Sequence, residues 1–204
     1  MSKTLAKALK TEPLKSEDAK WIRLVLTTYK DPLGKERTWE YAERRTRPVS
    51  SPVDAVGIVA IIDLPSGPEI VLQRQYRPPV NAVCIEIPAG LVDEGETPEQ
   101  AAVRELKEET GYVGEASMPT SIMLNDPGFC NTNLKMIHMT IDMSKPENQN
   151  PQPELEENEF IEVFTLPLKS LFPQCEIWER EGYALDARVA TLAEGIEMAR
   201  VWKL

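Results

Sequence analysis

Glu105, Glu108 and Glu109 stand at i, i+3 and i+4 in the run AAVRELKEETG. On an α-helix that turns about 100° per residue, all three project within about 100° of arc, so one edge carries three carboxylates. Like charges one turn apart oppose helix formation, which makes Glu105 over Glu109 a local fault unless something positive sits against them. A hard divalent cation, which prefers oxygen ligands, would repair it, so a metal site is one reading. The other reading of the same spacing is a solvated acidic face.

The element that must carry these groups is well punctuated. Thr97 is a capping residue, Pro98 fits the first helical position, Gln100 completes a capping box and Gly111 supplies the stop. Ala102, Val103 and Leu106 fall on an adjoining arc and give the helix a face to bury, and Arg104 can pair with Glu108 one turn on.

The whole chain limits the partners. Its 204 residues are 42% hydrophobic and 27% charged, the pattern of an ordinary soluble protein of one domain with room for a small extra module. The net charge of −10 argues against non-specific nucleic-acid binding, which needs an electropositive face. A phosphate-bearing small molecule stays open, because bound metal inverts the local field. Cys84, Cys130 and Cys175 form no CxxC pair, so reduced thiols in a cytoplasmic compartment are expected and zinc is not. No apolar run has the length of a membrane span. The opening segment MSKTLAKALK is basic and lacks acids, but it has no arginine, and a frayed terminus is expected there rather than a transit peptide.

Strand-like runs surround the helix. KWIRLVLTTYK and KERTWEYAERR flank the turn DPLG and predict a hairpin, and Pro48, Ser50, Ser51 and Pro52 then break the chain. A linker at that point divides a module over 1–50 from a main domain over 51–204 and would permit an exchange between subunits. AVGIVAII, EIVLQRQYR and VCIEIP precede the helix, while LKMIHMTI and EFIEVFTL follow it. SKPENQNPQPELEEN, over 144–158, is proline-rich and acidic and predicts an exposed, mobile loop. A last helix from about Asp186 to Trp202 presents Val189, Leu192, Ala193 and Ile196 as a packing face.

The stretch GLVDEGETPEQAAVRELKEETGY resembles the Nudix box, with Gly90, Glu96, Arg104, Glu105, Leu106, Glu108, Glu109, Gly111 and Tyr112 on its fixed positions. The resemblance implies an α/β fold, the Nudix α/β/α sandwich with a mixed sheet, here with a small N-terminal antiparallel β-sheet module. It also implies hydrolysis of a nucleoside diphosphate linked to another moiety, with Mg²⁺ or Mn²⁺ as cofactor.

Beyond the box, WIRLVLTTYKDPLGKERTWE, QYRPPVNAVCIEIPAGL, NDPGF and EFIEV are similar to the ADP-ribose pyrophosphatase subfamily. Pro127, fifteen residues after the box, matches the position that marks ADP-ribose enzymes, and the SQPWPFPxS motif of the NADH type is absent. The implied reaction is ADP-ribose to AMP and ribose 5-phosphate, by a homodimer. Other ADP-sugars or oxidised nucleotides are alternative substrates, and a non-catalytic ADP-ribose sensor is the alternative from another class.

The same resemblance implies roles for particular residues. Trp21 and Trp39 would sandwich the adenine, one from each subunit, with Glu40 at the base edge; hairpin packing is the plainer reading of both tryptophans. Arg44 and Arg77 would meet phosphates or the distal ribose, with the register between Arg44 and Arg45 open, and Asp126 and Pro127 belong to the substrate side. The Ala89 carbonyl, Glu105 and Glu109 would form the core metal set, with Glu108 in support. Glu96 would brace the loop and Arg104 orient a carboxylate. Glu159 would be the general base, with Glu156 and Glu157 as rivals. His138, the only histidine, falls in a strand and reads as structural.

Overall fold

The structure, a computed structural model, describes residues 6–204; the first five residues of the basic opening segment lie outside them. Strands β1 (Ile22–Lys30) and β2 (Glu36–Arg44) form the expected antiparallel hairpin. Its turn closes because Asp31 Oδ1 accepts from the Leu33 and Lys35 amides at 3.0 and 2.9 Å, while Gly34 takes a φ of 78°.

The remaining elements build one mixed sheet and its covering helices. They are β3 (Ala55–Leu64), β4 (Gly67–Arg77), β5 (Ala82–Glu86), β6 (Ala89–Leu91), α1 (Pro98–Thr110), β7 (Gly114–Pro119), β8 (Met123–Leu124), β9 (Asn133–Ile141), α2 (Pro146–Gln149), β10 (Ile161–Pro167), α3 (Leu171–Arg180), β11 (Ala184–Leu185) and α4 (Ala187–Trp202). The sheet runs β11-β5-β4-β3-β9-β7, with β10 on β4, β6 on β3 and β8 on β9. β3 is parallel to β9 and antiparallel to β4 and β6, so the sheet is mixed, as expected.

The apolar run of β3 is buried on both faces, which is why it does not alternate. Val56, Ile58, Ala60 and Ile62 join Ala101, Ala102 and Leu106 of α1 in one core. Val59 points the other way and packs with Ile70, Leu72, Ile85 and the helices α3 and α4, through Leu171, Trp178, Val189 and Ala193. The result is the α/β/α sandwich. The helix α3 and strand β7 had no counterpart in the sequence reading.

Two expectations need correction. On α1 the buried apolar face is Ala101, Ala102 and Leu106, whereas Val103 is 42% exposed. The segment 144–158 is anchored rather than free: Asn148 is fully buried, accepts from the Val113 amide at 2.8 Å and donates to the Val113 and Asp142 carbonyls at 2.9 and 2.8 Å. A buried amide with all these bonds made is a pin, and it outweighs the polar composition around it. Around the break at Pro48–Pro52 the chain makes contacts with the rest of the fold. The amides of Val49 and Ser50 donate to Glu94 at 2.8 and 3.1 Å, and Arg47 forks onto buried Asp54 at 2.8 and 2.7 Å. Through the Ala42 amide to the Phe129 carbonyl, at 2.9 Å, the hairpin rests on its own chain.

Candidate active site

The catalytic wall begins with the geometry of α1. Thr97 and Gln100 exchange hydrogen bonds at 2.9 and 3.2 Å in a capping box, Pro98 opens the first turn, and Gly111 closes the helix with a φ of 75°. Those caps fix where Glu105, Glu108 and Glu109 stand. Gly90 lies directly under them: a Cβ there would come within 1.9 Å of the Glu105 carboxyl group. The fixed glycine of the box is thus a matter of space, since the strand β6 must pass against a carboxylate.

Arg104 ties the acidic edge together. Its guanidinium donates to Glu96 at 3.0 and 2.9 Å, to Glu105 at 2.8 Å, to Glu108 at 3.0 Å and to the Leu91 carbonyl at 3.0 Å. Glu96 also accepts from the Asp93 amide at 3.1 Å, and so braces the loop as expected. Arg104 holds the Glu96 carboxyl below the ordinary carboxylate range. Burial raises Glu105, against the pull of Arg104.

Glu109 is the group least at ease. It is 4% exposed, and burial pushes its carboxyl up to about 8, opposed by the Ala89 amide at 2.9 Å and by the amide of Gln73 at 3.5 Å. Gln73 is itself fully buried, and its own oxygen has no partner.

The chemistry of this donor set fits a hard divalent ion: carboxylate oxygens of Glu105, Glu108 and Glu109 and a strand carbonyl at Ala89 line one wall. The side chains do not yet converge. Among the described residues no three histidine, cysteine or acidic groups meet as a metal cage, because Arg104 draws Glu105 and Glu108 to itself and Glu109 turns to the Ala89 amide. A raised carboxyl and a cation-seeking edge are both relieved by an added positive charge.

The wall faces a cleft of about 800 Å³. Period two on β4 sends Gln73, Gln75 and Arg77 to the face of α1, and the last two reach the cleft. Arg77 forks onto buried Glu86 at 2.8 and 2.6 Å. Arg44 enters from β2, Asn125 and Asn133 from either end of the loop between β8 and β9, and Asp186 and Arg188 from the start of α4. Glu154, Glu156 and Glu159 close the far side; Glu159 is near enough for its charge to raise Glu105 and Glu109.

The cleft therefore collects Ala89, Arg104, Glu105, Glu108, Glu109, Arg44, Arg77 and Glu159. The open register resolves to Arg44, since Arg45 turns away to the Ile22 carbonyl at 3.2 Å. Of the rivals to Glu159, Glu156 lines the cleft and Glu157 does not. His138 lies on β9, outside the cleft lining, as the structural reading expects.

Trp21, Trp39, Glu40, Asp126 and Pro127 are not part of the cleft lining. Trp39 lies opposite Thr27 and donates to the Gly128 carbonyl at 3.1 Å, while Glu40 alternates to the other face of the hairpin. Trp21, at the far end of β1, is 69% exposed.

Sequence reasoning missed Gln73, Gln75, Asn133, Asp186 and Arg188. The alternation of Gln73, Gln75 and Arg77 in an otherwise apolar strand was the available sign for β4. Nothing local marks Arg188, which becomes a cleft residue only when β11 pairs with β5 and carries the start of α4 to the site.

Comparison with known proteins agrees with this geometry. The NUDIX domain model matches residues 52–186. The ADP-ribose pyrophosphatase of Saccharomyces cerevisiae is 50% identical over 191 residues, 93% of this chain and 82% of that protein. The ADP-sugar pyrophosphatase of Mus musculus is 39% identical over 181 residues, 88% of this chain and 82% of that one. A crystal structure of an ADP compounds hydrolase, 22% identical, superposes with a TM-score of 0.64 over 98% of both chains and bears out the fold. The chain belongs to the NUDIX family and is a Nudix hydrolase of the branch that holds the ADP-ribose pyrophosphatases.

Proposed function

We propose that this cleft hydrolyses the diphosphate of ADP-ribose to AMP and ribose 5-phosphate, with Mg²⁺ as the working ion. The observation that carries the reading is the charge pattern of the cleft: the carboxylates of α1, with Glu109 pushed up to about 8, line it together with the guanidiniums of Arg44, Arg77 and Arg188. Such a site suits a substrate that is anionic at its centre together with a divalent cation.

Glu105, Glu109, Glu108 and the Ala89 carbonyl would hold the ion, which would supply charge neutralisation for the diphosphate and acidification of water. Glu159 would accept the proton of the attacking water, whose oxygen would add to phosphorus. The bond from phosphorus to the bridging oxygen then breaks, leaving AMP and ribose 5-phosphate. Arg104 keeps Glu105 and Glu108 in place, while Arg44 and Arg77 bind the phosphate oxygens, which a planar guanidinium matches.

Recognition of the adenine points to two copies of the chain. Trp21 and Trp39 are separated along the hairpin by about six residues of strand, roughly 20 Å, too far to enclose one base from a single chain. A homodimer in which the hairpin module over 1–50 reaches the partner's Nudix domain over 51–204 would bring Trp21 of one copy to Trp39 of the other. Glu40, Asp126 and Pro127 flank that region. Three free cysteines and the absence, among the described residues, of a helix long and apolar enough to span a membrane agree with a cytoplasmic setting.

Rates with ADP-ribose, ADP-glucose, NADH and oxidised nucleoside di- and triphosphates, with the products identified, test the reading. AMP from ADP-ribose at the highest kcat/KM is expected, and no AMP from ADP-ribose with Mg²⁺ would sink it. A binding protein without turnover has no use for the repulsive Glu105/Glu109 pair; a stable, unhydrolysed ADP-ribose complex would favour that second reading.

A further inference from the structure

Arg188 reaches the cleft from just beyond the stretch that the family model matches. In the first turn of α4 its Nε and Nη2 donate to the two carboxylate oxygens of Asp186, both at 2.7 Å, and its amide donates to Asp186 Oδ1 at 2.8 Å. Arg77 is held in the same way by Glu86. In each pair the carboxylate takes the Nε and Nη2 edge and leaves Nη1 uncommitted.

Four arginines line the cleft, and Arg104 among them is spent on Glu96, Glu105, Glu108 and the Leu91 carbonyl. Arg77 and Arg188 stand close enough for their like charges to oppose one another. Each guanidinium is neutralised by its own carboxylate yet keeps a donor edge that the carboxylate does not take, and a phosphate oxygen in the cleft can accept from it.

We propose that Arg188, aimed by Asp186, is a second phosphate-binding guanidinium of the cleft and acts beside Arg77 on the anionic oxygens of a nucleoside diphosphate. The proposal rests on the reading of the cleft as an ADP-ribose hydrolase site and adds a binding residue to it. Pre-orientation by Asp186 matters because a guanidinium already fixed in its fork loses little freedom when the phosphate binds.

The test is the binding of ADP, with adenosine as the phosphate-free control, to the full chain in EDTA by calorimetry. R188Q should weaken ADP binding roughly tenfold and leave adenosine unchanged, and R188K should fall between. With Mg²⁺, KM for ADP-ribose should rise in R188Q while kcat is kept.

R188Q binding ADP as the wild type does, including the case in which neither binds, overturns the proposal. So does an equal loss for adenosine, which is what a role in capping α4 alone would give. Should R188Q fail to fold, the same ADP and adenosine comparison on R188K decides. A wild type that leaves ADP-ribose intact removes the substrate reading, while the ADP comparison still reports on Arg188.

Discussion

The acidic wall of α1 and the hairpin β1–β2, to which the proposed function assigns the two ends of one substrate, are built in opposite ways. On α1 nearly every charge has a partner within the chain: Arg104 joins Glu96, Glu105 and Glu108, and Glu109 is buried against Ala89 and Gln73. On the hairpin, Trp21, Leu24, Leu26 and Trp39 are mostly exposed, and the main attachment is a short contact with the loop 125–131. The acidic wall makes its contacts within one chain, whereas the hairpin leaves an apolar face exposed.

The difference teaches where tolerance lies. A catalytic wall has to be positioned closely, so its groups are over-determined by caps and ion pairs. Under the proposed dimer the hairpin would keep its apolar face available to a second copy, at the cost of exposing large side chains in the single chain.

The largest effect should come from the interior of the wall. Glu109→Gln keeps the size and the hydrogen-bonding reach of the side chain but removes the charge, so turnover of ADP-ribose should fall at least about a hundredfold while the melting temperature holds or rises. Near-normal kcat would show that the metal set is wrongly placed. Gly90→Ala should match it in activity, because the new Cβ displaces the Glu105 carboxyl group; an active, folded Gly90→Ala would remove the close approach from the argument.

On the hairpin the effect should be smaller and of another kind. Trp21→Ala and Trp39→Ala should each raise KM roughly tenfold with kcat little changed, the loss of one stacking face being worth about 1–3 kcal/mol. Mixing the two inactive-affinity variants sharpens the comparison. If each site takes Trp21 from one copy and Trp39 from the other, a mixed dimer holds one intact site and recovers wild-type KM in part of the population. No recovery on mixing would place the recognition half within a single chain.

The smallest effect is one of pH on stability. Glu109 keeps its proton in the folded, metal-free protein up to about 8, above its ordinary value of 4.5. Between those values the folded state binds more protons than the unfolded one, so stability is fully present below about 4.5 and is lost as pH rises through about 8. Melting in EDTA should therefore weaken from pH 5 to pH 8 by a few degrees, and Mg²⁺ should restore it. A metal-free protein whose melting temperature is flat across that range would mean that Glu109 is not strained as described.

Much of the wall was legible in the chain itself, because helix periodicity and caps are local properties. Thr97, Pro98, Gln100 and Gly111 bound α1 as their types predict, and the crowding of Glu105, Glu108 and Glu109 follows from 3.6 residues per turn. The hairpin was legible for the same reason, through its turn residues and β-branched runs. The anchoring of 144–158 was not, since one buried residue, Asn148, reverses what the composition of its neighbours suggests.

By itself, then, the sequence determined the two local devices: a capped helix with an acidic edge, and a hairpin with tryptophans set far apart along it. Only the tertiary structure decided which other groups join them. Tertiary packing brings Gln73 against Glu109, and the pairing of β11 with distant β5 carries Asp186 and Arg188 to the cleft. Those contacts depend on strand register between distant segments, and no local spacing encodes the burial that pushes Glu109 up to about 8.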